Sequence, residues 1–247
     1  MNERLHEARP LPDAPRPDRR GPAPAGADAT DLAGPTAVLA GRQDDGARWD
    51  PAERHRKDFI PADPRDVARI RARFDHDSPD WSLVNPRRHD GPAWDNNCCE
   101  ATRAVVLTLE GRPTVAAGVK PEGRFGGGEP SRFLERWAGA AFAERAVTDG
   151  RTGLARLWDH LALAGEGTAA VVAYRFIDED GHESGHAVAA RNRGGRPMII
   201  DGQQGVETEL PAPDVEEWET DWVGAADFAR GSVCYFSWIP MPKGGQS

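Results

Sequence analysis

No stretch of this chain is apolar for long enough to span a bilayer, and its N-terminus lacks the apolar segment of a secretory leader. Membrane insertion and standard export are therefore not expected. Synthesis in the cytoplasm is, and delivery by a specialised secretion machine stays compatible with it. Cysteine is scarce: Cys98, Cys99 and Cys234, two of them adjacent, cannot form a disulfide framework. Free thiols in a reducing compartment follow, at least while the protein is made. Basic charge is also short. The net charge of −9 and the absence of a basic stripe exclude a nucleic-acid binder. Finally, no aromatic residue precedes Trp49.

That last absence divides the chain. Residues 1–48 are dominated by Pro, Ala, Gly, Asp and Arg, a composition unable to bury enough surface to offset its ordering entropy. A disordered tail is predicted there, followed by one domain over 49–247. Asp63-Pro64 opens a helix through Phe74, with Val67, Ile70 and Phe74 on one face. Trp81 to Pro86 reads as extended, since a residue before proline is pushed from the helical region. A polar loop then leads to a helix from about residue 98 to Leu109, stopped by Gly111-Arg112-Pro113. Gly123 to Gly128 lacks the Lys-Ser/Thr ending of a phosphate loop and reads as a connector. Helices follow at Ser131–Ala138 and Leu154–Leu163. His160, beside the apolar face of the second, reads as a packing histidine.

From Thr168 the texture changes to strands: 168–176, 186–190, 197–200 and 232–238, the first three joined by short turns. Cys234 falls mid-strand among aromatic residues, as a core cysteine would. Helices first and an antiparallel sheet second make an α+β fold.

Three residues carry candidate chemistry. Cys98 falls in or just before the first turn of its helix, where Asp95, Asn96 or Asn97 can cap. Free N–H groups and the positive dipole end favour a thiolate there. His186 begins one strand and Asp201 ends the next, so the two ends meet across an antiparallel pair. The carboxylate can then orient the imidazole toward a nucleophile. Asp201-Gly202 also reads simply as a turn. His182-Glu183-Ser184-Gly185-His186 fits a zinc-peptidase pattern, but that pattern works on a helix, and glycines with strand-type sequence surround this one.

Val84-Asn85-Pro86, Asn97-Cys98, Leu109-Glu110-Gly111-Arg112-Pro113, Gly185-His186-Ala187 and Ile199-Ile200-Asp201-Gly202-Gln203 occur in this order. Together they resemble the papain-fold toxins of glutamine deamidase type, found among bacterial polymorphic toxins and effectors. The resemblance covers roughly residues 80–205. It implies a papain-like domain with Cys98 as nucleophile, His186 as general base and Asp201 as orienting acid. Ala101 stands where many members have a second cysteine, and here Cys99 is adjacent instead. The implied reaction is thiolate attack on a glutamine carboxamide, loss of ammonia and hydrolysis of a thioester, with no cofactor and no metal. The Cys98 N–H is the natural oxyanion donor, with the side chain of Asn97 or Gln203 as a second. Expected partners are a target protein carrying the glutamine and an immunity protein. The same trio also runs proteolysis or acyl transfer, and an inactive binding module is the alternative of another class.

Overall fold

Small, branched and aromatic apolar residues alternate over 169–201 in a way that lets a sheet bury both its faces. In the computed structural model they do so. It describes residues 57–123, 131–142, 150–177, 180–181, 183–210, 212 and 233–241, all within the second of two units, residues 38–247. The tail expected over 1–48, the start of order at Trp49, residues 124–128 of the glycine run, His182 and the side chain of Cys234 lie outside the described residues.

Five strands form one antiparallel sheet: β3 (Ala169–Ile177), β4 (Glu183–Arg193), β5 (Arg196–Asp201), β6 (Val206–Glu209) and β7 (Val233–Met241). Their order is β6-β5-β4-β3-β7, so the expected meander is present and the last strand closes its far side against β3. Gly194 and Gly195, both at positive φ, make the two-residue turn between Arg193 and Arg196. A separate pair, β1 (Phe59–Ile60) and β2 (Gly118–Val119), packs with Phe133 in a small cluster of its own.

Helices cover both faces of the sheet. Helix α3 (Cys98–Leu109) packs Ala101, Ala104 and Val105 with Ala187, Ala189, Ile200 and Val171. On the opposite face α5 (Gly150–Ala164) packs Leu154, Leu157 and Leu161 with Val172, Val188 and Ile199. The remaining helices are α1 (Pro64–Arg73), α2 (Pro92–Asp95) and α4 (Arg132–Ala138). The cap predicted for α1 is present, with Asp63 accepting from the Arg65 N–H at 2.8 Å.

Two local expectations need correction, and one strand was not anticipated. Trp81–Leu83 is a 3₁₀ turn rather than extended chain. The Asp80 carboxylate takes both the N–H of Ser82 (3.1 Å) and its hydroxyl (2.5 Å), which winds the turn, while the proline restriction acts only on Asn85. The polar loop before Cys98 contains α2, begun by Pro92 at its first position. Strand β6 carries the polar sequence Val-Glu-Thr-Glu, whose single apolar residue gave no alternation to read.

Candidate active site

Cys98 is the first residue of α3, and Asn97 precedes it as N-cap. As N-cap, Asn97 makes no side-chain cap bond. The Asn97 amide is fully buried and turned inward, donating to the Ala117 carbonyl (2.9 Å) and to Asn85 Oδ1 (3.3 Å). Asn85 returns the bond at 3.1 Å and also donates to the carbonyls of Trp94 (3.0 Å) and Gln203 (3.3 Å). Four segments distant in the chain are thereby tied together beneath the tip of α3. The two asparagines hold the helix by its base, not by its cap.

The sheet supplies the other half of the site. Strand β5 pairs with β4 only from Ala189 onward, as Ala189 with Ile200. Asp201 ends β5, and the chain turns away through Gly205, which is at positive φ and donates its N–H to the Asp201 carbonyl (2.8 Å). The tip of α3 fills the ground β5 has left, and the Ala187 N–H bonds the Cys98 thiol. Gly202 makes the approach feasible: a β-carbon there would lie 2.6 Å from Val105 Cγ2 and 2.8 Å from the Ala101 carbonyl oxygen.

His186 and Asp201 meet as the strand reading anticipated. Extending the register by one step sets Asp201 opposite Val188, so His186 is its diagonal neighbour two residues on, within reach of a long side chain. Nε2 of His186 lies 2.8 Å from Asp201 Oδ2. The other carboxylate oxygen accepts the N–H groups of Gln203 and Gln204, each at 3.0 Å. Thus Asp201 both makes the turn and orients the histidine, one oxygen to each task. The ring of His186 stands edge-on to Tyr174, its partner on β3, with centroids 5.7 Å apart, and also hydrogen-bonds the Cys98 thiol. Asp201 is fully buried, His186 is 7 % exposed and Cys98 is half-buried. Only the thiol end of the line opens outward.

This surrounding polarises the thiol. The hydrogen bond from Cys99 holds the Cys98 pKa well below the ordinary range. Burial opposes it, while the bond and charge of His186 and the Ala187 N–H add to it. Burial would lower the pKa of His186, but the charge and hydrogen bond of Asp201, with those of Cys98, raise it to about 10. A thiolate–imidazolium pair at neutral pH is the direction both shifts share.

Gln203 sits beside this line. Its side-chain amide donates to the Asp95 carbonyl, and its own carbonyl receives Asn85. The zinc pattern fares differently, because Glu183 to His186 lie on β4 and not on a helix. His186 spends its ring on Asp201 and Cys98.

Residues 96–206 match the family described as papain fold toxin 1, glutamine deamidase. The matched segment runs from just before Cys98 to just past Asp201, and the resemblance read from the sequence is shown. The α+β architecture, with its helix at residues 98–109 and five-stranded antiparallel sheet, is that of a papain-fold domain. The match supports an enzyme of the glutamine deamidase class, of toxin type and acting on a protein. No curated protein and no solved structure matches the chain.

Several contributors to the papain-fold site were not singled out in the sequence. Asn85 lay inside a quoted motif but without a role. Cys99 reads in the sequence as the alternative nucleophile, which the spacing to Gly111 disfavours, and not as a hydrogen-bond partner of Cys98. Tyr174 and the Ala187 N–H become visible only when β3 and β4 are paired.

Proposed function

We propose that the chain deamidates a glutamine side chain of a target protein through Cys98, His186 and Asp201. The observation that carries this reading is the single line from Asp201 through His186 to a half-buried, pKa-lowered thiol at a helix tip. The Cys98 thiolate attacks the carboxamide carbon, and the carbonyl π pair moves onto oxygen. The Cys98 N–H, free in the first helical turn, stabilises that oxyanion. Of the two side chains considered as a second donor, Asn97 has both amide hydrogens engaged inside the fold, so we assign it to the scaffold. Gln203 spends one hydrogen on Asp95 and keeps the other for this role.

Collapse of the tetrahedral adduct breaks the carbon–nitrogen bond, and the His186 proton leaves with ammonia. Water then attacks the thioester carbonyl while His186 takes its proton. Expulsion of the Cys98 thiolate leaves a glutamate on the target and the imidazolium restored. The second proton of the water stays on the new carboxyl group and passes to solvent as the glutamate ionises, and no step calls on a cofactor. The toxin role carries with it, as part of the proposal, cytoplasmic synthesis, delivery by a specialised route and an immunity protein.

The test is ammonia release from glutamine-containing proteins by the native enzyme and by Cys98→Ala, with intact-mass analysis of the same samples. Ammonia with an uncut substrate heavier by about one mass unit, lost in Cys98→Ala, is expected. Cleaved fragments would replace this reading with proteolysis.

A further inference from the structure

Strand β4 is paired along one side from Glu183 to Arg191 by β3, but on the other side β5 pairs only Ala189 to Arg193. Among the described residues no strand lies against Glu183–Val188 on that second edge. Hydrogen-bonding direction alternates along a strand, and one residue points its N–H and C=O to the same side. Ala189 faces β5, and the Ala187 N–H reaches Cys98. By the same alternation Gly185 and Glu183 direct their backbone groups to the open edge, in line with the nucleophile.

Glu183, Ser184 and Gly185 are all exposed. Gly185 is not at positive φ, and a β-carbon there would meet only the Tyr174 carbonyl oxygen at 3.5 Å and Arg175 Cγ at 3.6 Å, ordinary contacts. Neither the backbone nor the packing of the folded chain calls for a glycine at this place. Gly185's partner Arg175 borders a register shift of β3 against β7, and a glycine inside a strand marks either such an irregularity or the close approach of another backbone. Its missing side chain would project on the face of Ala187 and Ala189, which α3 covers.

We propose that the target protein presents its glutamine in an extended segment that adds to the sheet as a strand beside Glu183–Gly185. The inference rests on Cys98 being the nucleophile, as proposed above. Cys98 occupies the next outward-facing position of the same ladder, roughly 7 Å along from Gly185, so the strand guides a side chain toward the thiol. The main-chain bonds give affinity without reading sequence, as in other strand additions. A glutamine in a loop or tail that can extend is a substrate; free glutamine lacks the backbone to be held, and one inside a stable helix cannot pair.

The experiment uses a glutamine mimic that alkylates thiols, 6-diazo-5-oxonorleucine, as the free amino acid and at the centre of an acetylated, amidated pentapeptide of Val and Ala. The Cys98 sulfur displaces dinitrogen and forms a thioether, read by mass without any turnover. In the full-length native protein the peptide should label Cys98 at least ten times faster than the free amino acid. That ratio should fall toward one in Gly185→Pro, which removes the outward N–H, and also with the native protein when the peptide's flanking amides are N-methylated. The second arm decides the matter should Gly185→Pro fail to fold. A ratio near one in the native protein, or one that survives both changes, overturns the strand addition. Labelling of Cys98 by neither probe overturns the nucleophile assignment, and the inference falls with it.

Discussion

The packing beneath α5 and the packing around α3 are built differently. Beneath α5 the interior is Leu154, Leu157, Leu161, Val172, Val188, Ile199 and Phe236. Gly153 admits the ring of Phe236 where a β-carbon would lie 2.5 Å from it. The packing around α3 holds buried polar groups as well: Asn85, Asn97 and an ion pair of Glu100 with Arg103 at 2.7 Å, and the tip of α3 meets buried Asp201 and His186 where β5 ends. Burying polar groups costs free energy unless each finds its bonds, and well-bonded networks fix geometry more than they add stability. The leucines of α5 stabilise the domain; the polar groups around the tip of α3 set atoms in place.

A change among the polar groups at the tip of α3 should cost activity out of proportion to stability. The largest effect is expected from Asp201→Asn. The replacement keeps an oxygen for the turn but offers the imidazole an amide, so kcat/KM should fall by about 10⁴-fold while the fold survives. The pH profile should move with it. In the native enzyme the active pair exists above the depressed pKa of Cys98 and is lost as His186 deprotonates near pH 10. Removing the carboxylate charge should bring the alkaline limb down, as read by iodoacetamide alkylation of Cys98 against pH. An unmoved limb would show that Asp201 serves the turn alone.

Leu157→Ala should do the reverse. It is expected to cost about 2–5 kcal/mol by urea denaturation and leave kcat of the folded fraction near its native value. Gly202→Ala lies between, because its β-carbon meets the backbone of α3. A loss of about 1–3 kcal/mol is expected from overpacking, with a drop in Cys98 alkylation as the helix tip is pushed away. Equal reactivity would mean that the tip is held elsewhere.

The smallest effect concerns His160, whose Nε2 is buried without a hydrogen-bond partner and whose ring lies near Trp238. Burial lowers its pKa, so the unfolded chain takes up the proton first as pH falls. Stability contributed above the unfolded pKa should therefore be lost below about pH 6.5, and His160→Leu should flatten that part of the curve. Urea midpoints at pH 7.5 and 5.5 would measure it. An unchanged slope would assign the acid sensitivity to other groups.

What could be read in advance followed the same division. The leucines of α5, the apolar run of α3 and the alternating strands announce themselves by period, because burial of one face needs nothing else. The meeting of Cys98, His186 and Asp201 was legible because Cys98 begins a helix and Asp201 ends a strand, although β4 starts at Glu183 and places His186 inside it rather than at its start. The Asn85–Asn97 clasp was not, because two asparagines in turns look like capping residues until their long-range partners are in view. Nor was the double role of Asp201, whose turn-forming and histidine-holding readings stood as rivals. In the folded chain they are two oxygens of one group.

That sharing makes the thiol a gauge of folding. The carboxylate that closes the β5–β6 turn also orients the imidazole, and the imidazole reaches Cys98 only when α3 fills the gap at the end of β5. An unfolded chain thus carries an ordinary cysteine at residue 98. Denaturant should slow its modification at neutral pH while hastening that of its neighbour Cys99, which is buried in the native state. The crossing of the two rates would count native molecules one residue apart, with no substrate needed.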